Sequence, residues 1–122
     1  MNYSKKIQHC RSYYPFKYWS EDYQDGIGKY SDTHCFNVQS IFDGLLKSLI
    51  SLGEAAPELS KVELFQSTVQ RLNIVRKNYP ELIETMEREE FCDLFDKIAL
   101  AAGLRPENYG GGDGIASEWR EW

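Results

Sequence analysis

The stretch Asn37–Gly53, NVQSIFDGLLKSLISLG, decides the fold. Its apolar residues Val38, Ile41, Phe42, Leu45, Leu46, Leu49, Ile50 and Leu52 recur at i, i+3, i+4, i+7 and i+8, the spacing that lines one face of an α-helix. Asn37 reads as the N-cap, because its side-chain oxygen can accept an orphan amide of the first turn. Gly53 suits the left-handed residue just past the end. So wide an apolar face predicts that this helix is the most buried element and that the others pack around it.

Working outward, EAAPELSKVELFQ (54–66) offers two starts for the next helix. Ser60 and Glu63 form an S-x-x-E capping box flanked by Leu59 and Leu64, and Pro57 is equally suited to open a slightly longer helix. Val62, Phe65, Val69, Leu72, Val75 and Tyr79 mark its face as far as Pro80, which disfavours helix at the residue before it. Pro80 is then placed to start a third helix, with Glu81 and Glu84 near its N-terminal dipole and Leu82, Ile83 and Met86 beginning its apolar face. Phe91, Leu94, Phe95, Ile98 and Ala102 continue that face out of phase by about one residue, which predicts a kink or a junction near Arg88. Gly103 ends the run, and Leu104 supplies the capping contact.

The two ends read differently. Residues 1–36 hold nine of the 17 aromatics but no sustained period, and Pro15, Gly26 and Gly28 interrupt them. They are expected to form an irregular arm, with at most a short helix or strand pair, whose rings cover the helical body or offer a binding surface. The tail ENYGGGDGIASEWREW is glycine-rich and ends on two tryptophans, for which docking on the body or contact with a partner are the two uses of so much apolar area. The expected fold is mostly α: a small single-domain bundle of three to five helices around 38–52, 58–78 and 81–102. The arm covers 1–36, the helical body 37–104 and the tail 105–122.

A hydrophobic share of 42% and a charged share of 27% suit a globular chain. No apolar run is long enough to span a membrane, and the N-terminal lysines precede no apolar segment, so a cytoplasmic protein is expected. Cys10, Cys35 and Cys92 are too few and too scattered for a disulfide framework. The net charge of −5 is uneven: residues 81–122 carry four basic against eleven acidic side chains, whereas the rest of the chain is slightly basic. That surface repels nucleic acid and attracts a basic protein.

Few residue sets suggest chemistry. His9-Cys10 and His34-Cys35 together hold two nitrogens and two sulfurs, a set that zinc accepts, but neither pair has a zinc-site spacing. They read as unrelated, and no metal is expected. The series Glu84, Glu87, Glu89, Glu90, Asp93 and Asp96 lacks the Glu-x-x-His of di-iron helices, since no histidine follows His34. It reads as a solvated face or as an acidic surface for a basic partner. GGGDG lacks the strand, helix and lysine of a phosphate loop and is better suited to presenting Asp113 to a partner. No nucleophile has an evident base, so no catalytic residue, enzyme activity or cofactor is expected.

The segments FNVQSIFDGLL (36–46) and GGGDGIASEWREW (110–122), in a small acidic chain, resemble immunity proteins of bacterial contact-dependent growth inhibition systems. The resemblance implies a cytoplasmic protein that blocks a cognate toxin domain, often a nuclease with a basic active site, without a cofactor. An acidic surface can occupy such a site in place of nucleic acid. The residues expected to touch the toxin are Glu84, Glu87, Glu89, Glu90 and Asp93 on the helix, and Asp113, Glu118 and Glu121 in the tail, with Tyr109, Trp119 and Trp122 as aromatic anchors. The alternatives are a helical adaptor, associating with itself or with another protein through the central helix, and a small enzyme or metalloprotein using the His-Cys pairs.

Overall fold

Residues 1–122 are all described in the structure, a computed structural model. Five α-helices follow in order, α1 Tyr3–His9, α2 Phe16–Gln24, α3 Asp32–Leu52, α4 Glu58–Asn78 and α5 Thr85–Ala101, joined and extended by short 3-10 turns, with no strand. The mostly α fold expected from the sequence is what forms.

The central helix lies where its period places it, with Val38, Phe42, Leu45, Leu46 and Leu49 at most 2% exposed. It starts earlier than Asn37, which is exposed within the second turn. Ser31 is the N-cap, its side chain accepting from His34 N at 3.2 Å. Cys35, three residues before Val38 and buried, extends the apolar face into that extra turn. Gly53 closes the helix at φ +93°.

The second helix begins at Glu58 after Pro57, so the longer alternative forms rather than the Ser60–Glu63 box. The His34 ring meets Tyr79 at 4.7 Å, which brings the start of α3 beside the end of α4 and makes the pair antiparallel. Lys61 is buried on α4. Its ammonium donates to the carbonyls of Glu54 and Ala102, each at 2.8 Å, and lies 5.1 Å from the Tyr3 ring centre. One cation thus ties α1 and the α3–α4 connection to the C-terminus of α5, where the dipole favours it.

The phase change before Phe91 is real but lies upstream of Arg88. Pro80–Leu82 is a 3-10 turn, Ile83 and Glu84 are extended, and α5 then runs unbroken from Thr85. Leu82 and Ile83 are buried as part of that turn, while Met86, no longer in their register, is 61% exposed. Glu87 reaches back to accept from Glu84 N at 2.9 Å, which fixes the start of α5.

The irregular arm is corrected to two helices. Short helices are marginal alone, and these are held by packing. Ile7, Phe16 and Trp19 are buried, and the Trp19 ring meets Tyr30 at 4.6 Å and Phe91 at 5.5 Å. The tail is docked through the turns Pro106–Asn108, Gly110–Gly112 and Ile115–Glu118. Ile115 and Ala116 are buried, and Trp122 packs edge-on against Phe91 at 6.1 Å. The glycine loop is tightly turned: Gly114 has φ +113°, and a Cβ there would sit 2.7 Å from the Asp96 carboxylate.

Gly114→Ala combines a backbone region reserved for glycine with that close approach and is expected to cost about 2–3 kcal/mol. Gly111→Ala, at φ +65° in open space, is expected to cost only about 1 kcal/mol. Urea unfolding followed by tryptophan fluorescence measures both, and equal losses would show that the approach to Asp96 contributes nothing.

Candidate protein-binding surface

At about 100° per residue, α5 separates its side chains by period. Phe91, Leu94, Phe95, Ile98 and Ala99 face inward. Met86, Glu89, Glu90, Asp93, Lys97 and Leu100 form the outward stripe. Asp93 holds Lys97 at 2.8 Å, and this hydrogen bond is the main cause of a raised Lys97 pKa. Glu89 and Glu90 have no ion-pair partner.

The other expected contact residues are dispersed. Asp113 is exposed beside Gly114, on the flank of α5 where Asp96 accepts from Ile115 N at 3.1 Å. Burial raises the Asp96 pKa in spite of that bond. Glu121, Tyr109 and Trp119 lie instead toward α4, and Glu118 turns back on the tail's own glycine turn. Glu118 accepts from Gly110 N at 2.6 Å, Glu121 accepts from the Asn73 amide at 3.1 Å, and the Trp119 carbonyl accepts from the same amide. The Tyr109 hydroxyl donates to Glu58, and burial, with that carboxylate second, pushes its pKa up to about 12.

Two assignments are corrected. Trp122 is 7% exposed and committed to the core, so it cannot anchor a partner. Glu87 is 3% exposed and points inward, because its position falls on the buried side of α5. Its carboxylate, with that of Glu84, grips the Lys29 ammonium at 2.9 and 2.6 Å. Partial burial disfavours the charged Lys29, but hydrogen bonds to Glu84 and Glu87 outweigh it and raise its pKa, while the same bond lowers that of Glu84.

The His-Cys pairs do not converge. His9 lies against Tyr13 and His34 against Tyr79, whereas the Cys10 and Cys35 thiols face backbone carbonyls. Burial raises the pKa of all three thiols, which disfavours thiolate chemistry. No three His, Cys, Asp or Glu side chains are grouped to hold a metal, and no helix is long and apolar enough to cross a membrane.

A feature the sequence reading missed is a cleft of about 570 Å³ between the α2–α3 connection and the start of α5, floored by Trp19 and Tyr30. Ile27 and Met86, 79% and 61% exposed, stand on its rim. The signal for it was Ile27 itself, a large aliphatic side chain between two turn glycines and outside any helical period. No protein-family profile matches the chain, and no curated protein or solved structure matches it either.

Lys29→Met strands the buried Glu87 carboxylate and is expected to cost about 2–3 kcal/mol at neutral pH, less than for a fully buried pair because Lys29 is partly exposed. Adding Glu87→Gln is expected to recover most of that loss. A raised lysine pKa contributes stability that fades only as pH climbs through it, and a lowered glutamate pKa contributes stability that fades as pH falls through it. The difference between wild type and Lys29→Met in urea unfolding is therefore expected to be flat from mildly acidic pH to about pH 10 and to shrink outside that window.

Proposed function

We propose that the chain is a non-catalytic, protein-binding inhibitor of the immunity type, which occupies the basic active site of a cognate bacterial toxin domain, a nuclease in the first instance. The observation that carries the reading is the outward stripe of α5. It sets the unpaired carboxylates Glu89 and Glu90 between Met86 and Leu100, both 61% exposed. A partner laid along the stripe would bury both apolar side chains while meeting the charges between them. Carboxylates steer and orient a basic partner, and the apolar contacts hold it. Asp113 extends the acidic surface along the flank of the helix, and the reading needs neither cofactor nor metal.

An apolar strip left free on the central helix would favour the adaptor alternative. Most of the wide face of α3 packs into the core, and Phe36 and Leu52, 72% and 40% exposed, lie at opposite ends of the helix rather than along one strip.

The test is co-expression with the product of the neighbouring open reading frame. A one-to-one complex that suppresses nuclease activity and weakens with salt is the expected result. Reversal of Glu89 and Glu90 to lysine is expected to lower affinity by at least about 100-fold, with urea unfolding unchanged to within about 0.5 kcal/mol. A chain recovered alone, or a complex indifferent to the reversal, overturns the reading.

A further inference from the structure

The cleft beside the stripe has its own chemistry. Its walls come from residues far apart in sequence, Asp22 and Ile27–Tyr30 on one side and Glu84–Glu87 on the other. They are pinned together by the Lys29 ion pairs and by the Tyr30 hydroxyl, which donates to the Leu82 carbonyl at 2.6 Å. The cleft is therefore preformed, and a ligand entering it has little ordering left to supply.

Three carboxylates and one ammonium line it, a net charge of −2. Lys29 is already held by Glu84 and Glu87, whereas Asp22 has no ion-pair partner and the Glu84 side chain remains 63% exposed. Exposed acceptors, Asp22 and Glu84, thus line the cleft together with the aliphatic side chains of Ile27 and Met86. A long side chain with an apolar stem and a cationic end fits that pair of surfaces, the stem against the rim and the charge at the carboxylates. A planar guanidinium can pair bidentately with a carboxylate, which an ammonium cannot.

We infer that this cleft receives an arginine side chain of the partner protein, with Asp22 and Glu84 as its acceptors and Ile27 and Met86 clasping its stem. The inference rests on the proposed function for the partner's identity as a basic protein. The geometry joins the two sites, since Met86 is both a rim residue of the cleft and the first residue of the α5 stripe. From Met86 to Asp93 the stripe runs roughly 10 Å, within reach of a single partner segment. The arginine serves as the anchor at one end of the contact, and Glu89, Glu90 and Asp93 complement basic residues along the rest.

The first measurement uses the whole chain alone, titrated with the peptide acetyl-Gly-Arg-Gly-amide and followed by nitrogen–proton correlation NMR. The indole signal of Trp19 and the amides of Ile27, Gly28 and Thr85 are expected to move together and to saturate, while the indoles of Trp119 and Trp122 stay still. The same peptide with citrulline in place of arginine is expected to leave all of them unmoved, and the lysine peptide to bind at least about threefold more weakly. Asp22→Asn and Met86→Ser are each expected to weaken the arginine response about threefold to tenfold. Absent shifts, equal shifts with citrulline, or an Asp22→Asn variant that binds as wild type overturns the inference.

The second measurement separates this inference from the reading beneath it. If the toxin complex forms and depends on Glu89 and Glu90 but ignores Asp22→Asn and Met86→Ser, the cleft assignment falls and the inhibitor reading stands. If the arginine peptide binds as described but no complex forms with the neighbouring gene product, the cleft stands as an arginine site and the inhibitor reading falls.

Discussion

Phe91 is the side chain on which the rest of the structure depends. It is fully buried and meets Phe16 and Trp19 of α2, Phe42 of α3 and Trp122 of the tail, at centroid distances of 5.3 to 6.4 Å. Each of those elements needs it. Helix α2 has nine residues, too few to persist alone, and the tail has only three short 3-10 turns, each closed by local backbone bonds. Their order comes from placing large rings against one ring that α5 presents. Aromatic pairs at these separations add directional preference to the area they bury, which is how a single residue helps to set the positions of four others.

The parts of the fold that were legible in sequence are those with a long, repeated period. Helix α3 and the Phe91–Ala102 half of α5 each carry enough apolar positions to fix a face, and Gly53 and Gly103 mark both ends with positive φ. The start of α3 was missed because Cys35, counted as a thiol, behaves there as a small apolar residue at the next position of the face. Arm and tail were illegible for a different reason. A seven-residue helix cannot display two repeats of its own face, and the pairings of Trp19 with Tyr30 and Trp122 with Phe91 are set only by tertiary structure.

The candidate surface divides along the same line. The stripe from Met86 to Leu100 is readable from helical spacing alone once the register of α5 is known. Extending the face of Leu82 and Ile83 into α5, out of phase by about one residue with Phe91 and Leu94, puts Met86 inside and Glu87 outside, the reverse of what forms. Of the cleft, the sequence offers only Ile27 as a sign, because Lys29 and Glu87 lie 58 positions apart and nothing local announces their pairing.

That pairing also bears on why the acidic character of the chain is tolerated. Eleven acidic side chains fall between 81 and 122, and only Glu84, Glu87 and Asp93 have a cation within ion-pair distance. Glu87, the one such side chain that is buried, is paired with Lys29, and this is where an unpaired charge would cost most. Apart from the half-buried Asp96, which accepts from Ile115 N, the unpaired carboxylates stay on the surface, where water screens their mutual repulsion and each costs little. Charge compensation thus goes to the interior position, and the outward face of α5 keeps Glu89 and Glu90 uncommitted. A basic partner that excludes water from that face would meet two carboxylates that hold no ion pair within the chain, and their electrostatic complementarity would be directed largely at the partner rather than at the fold.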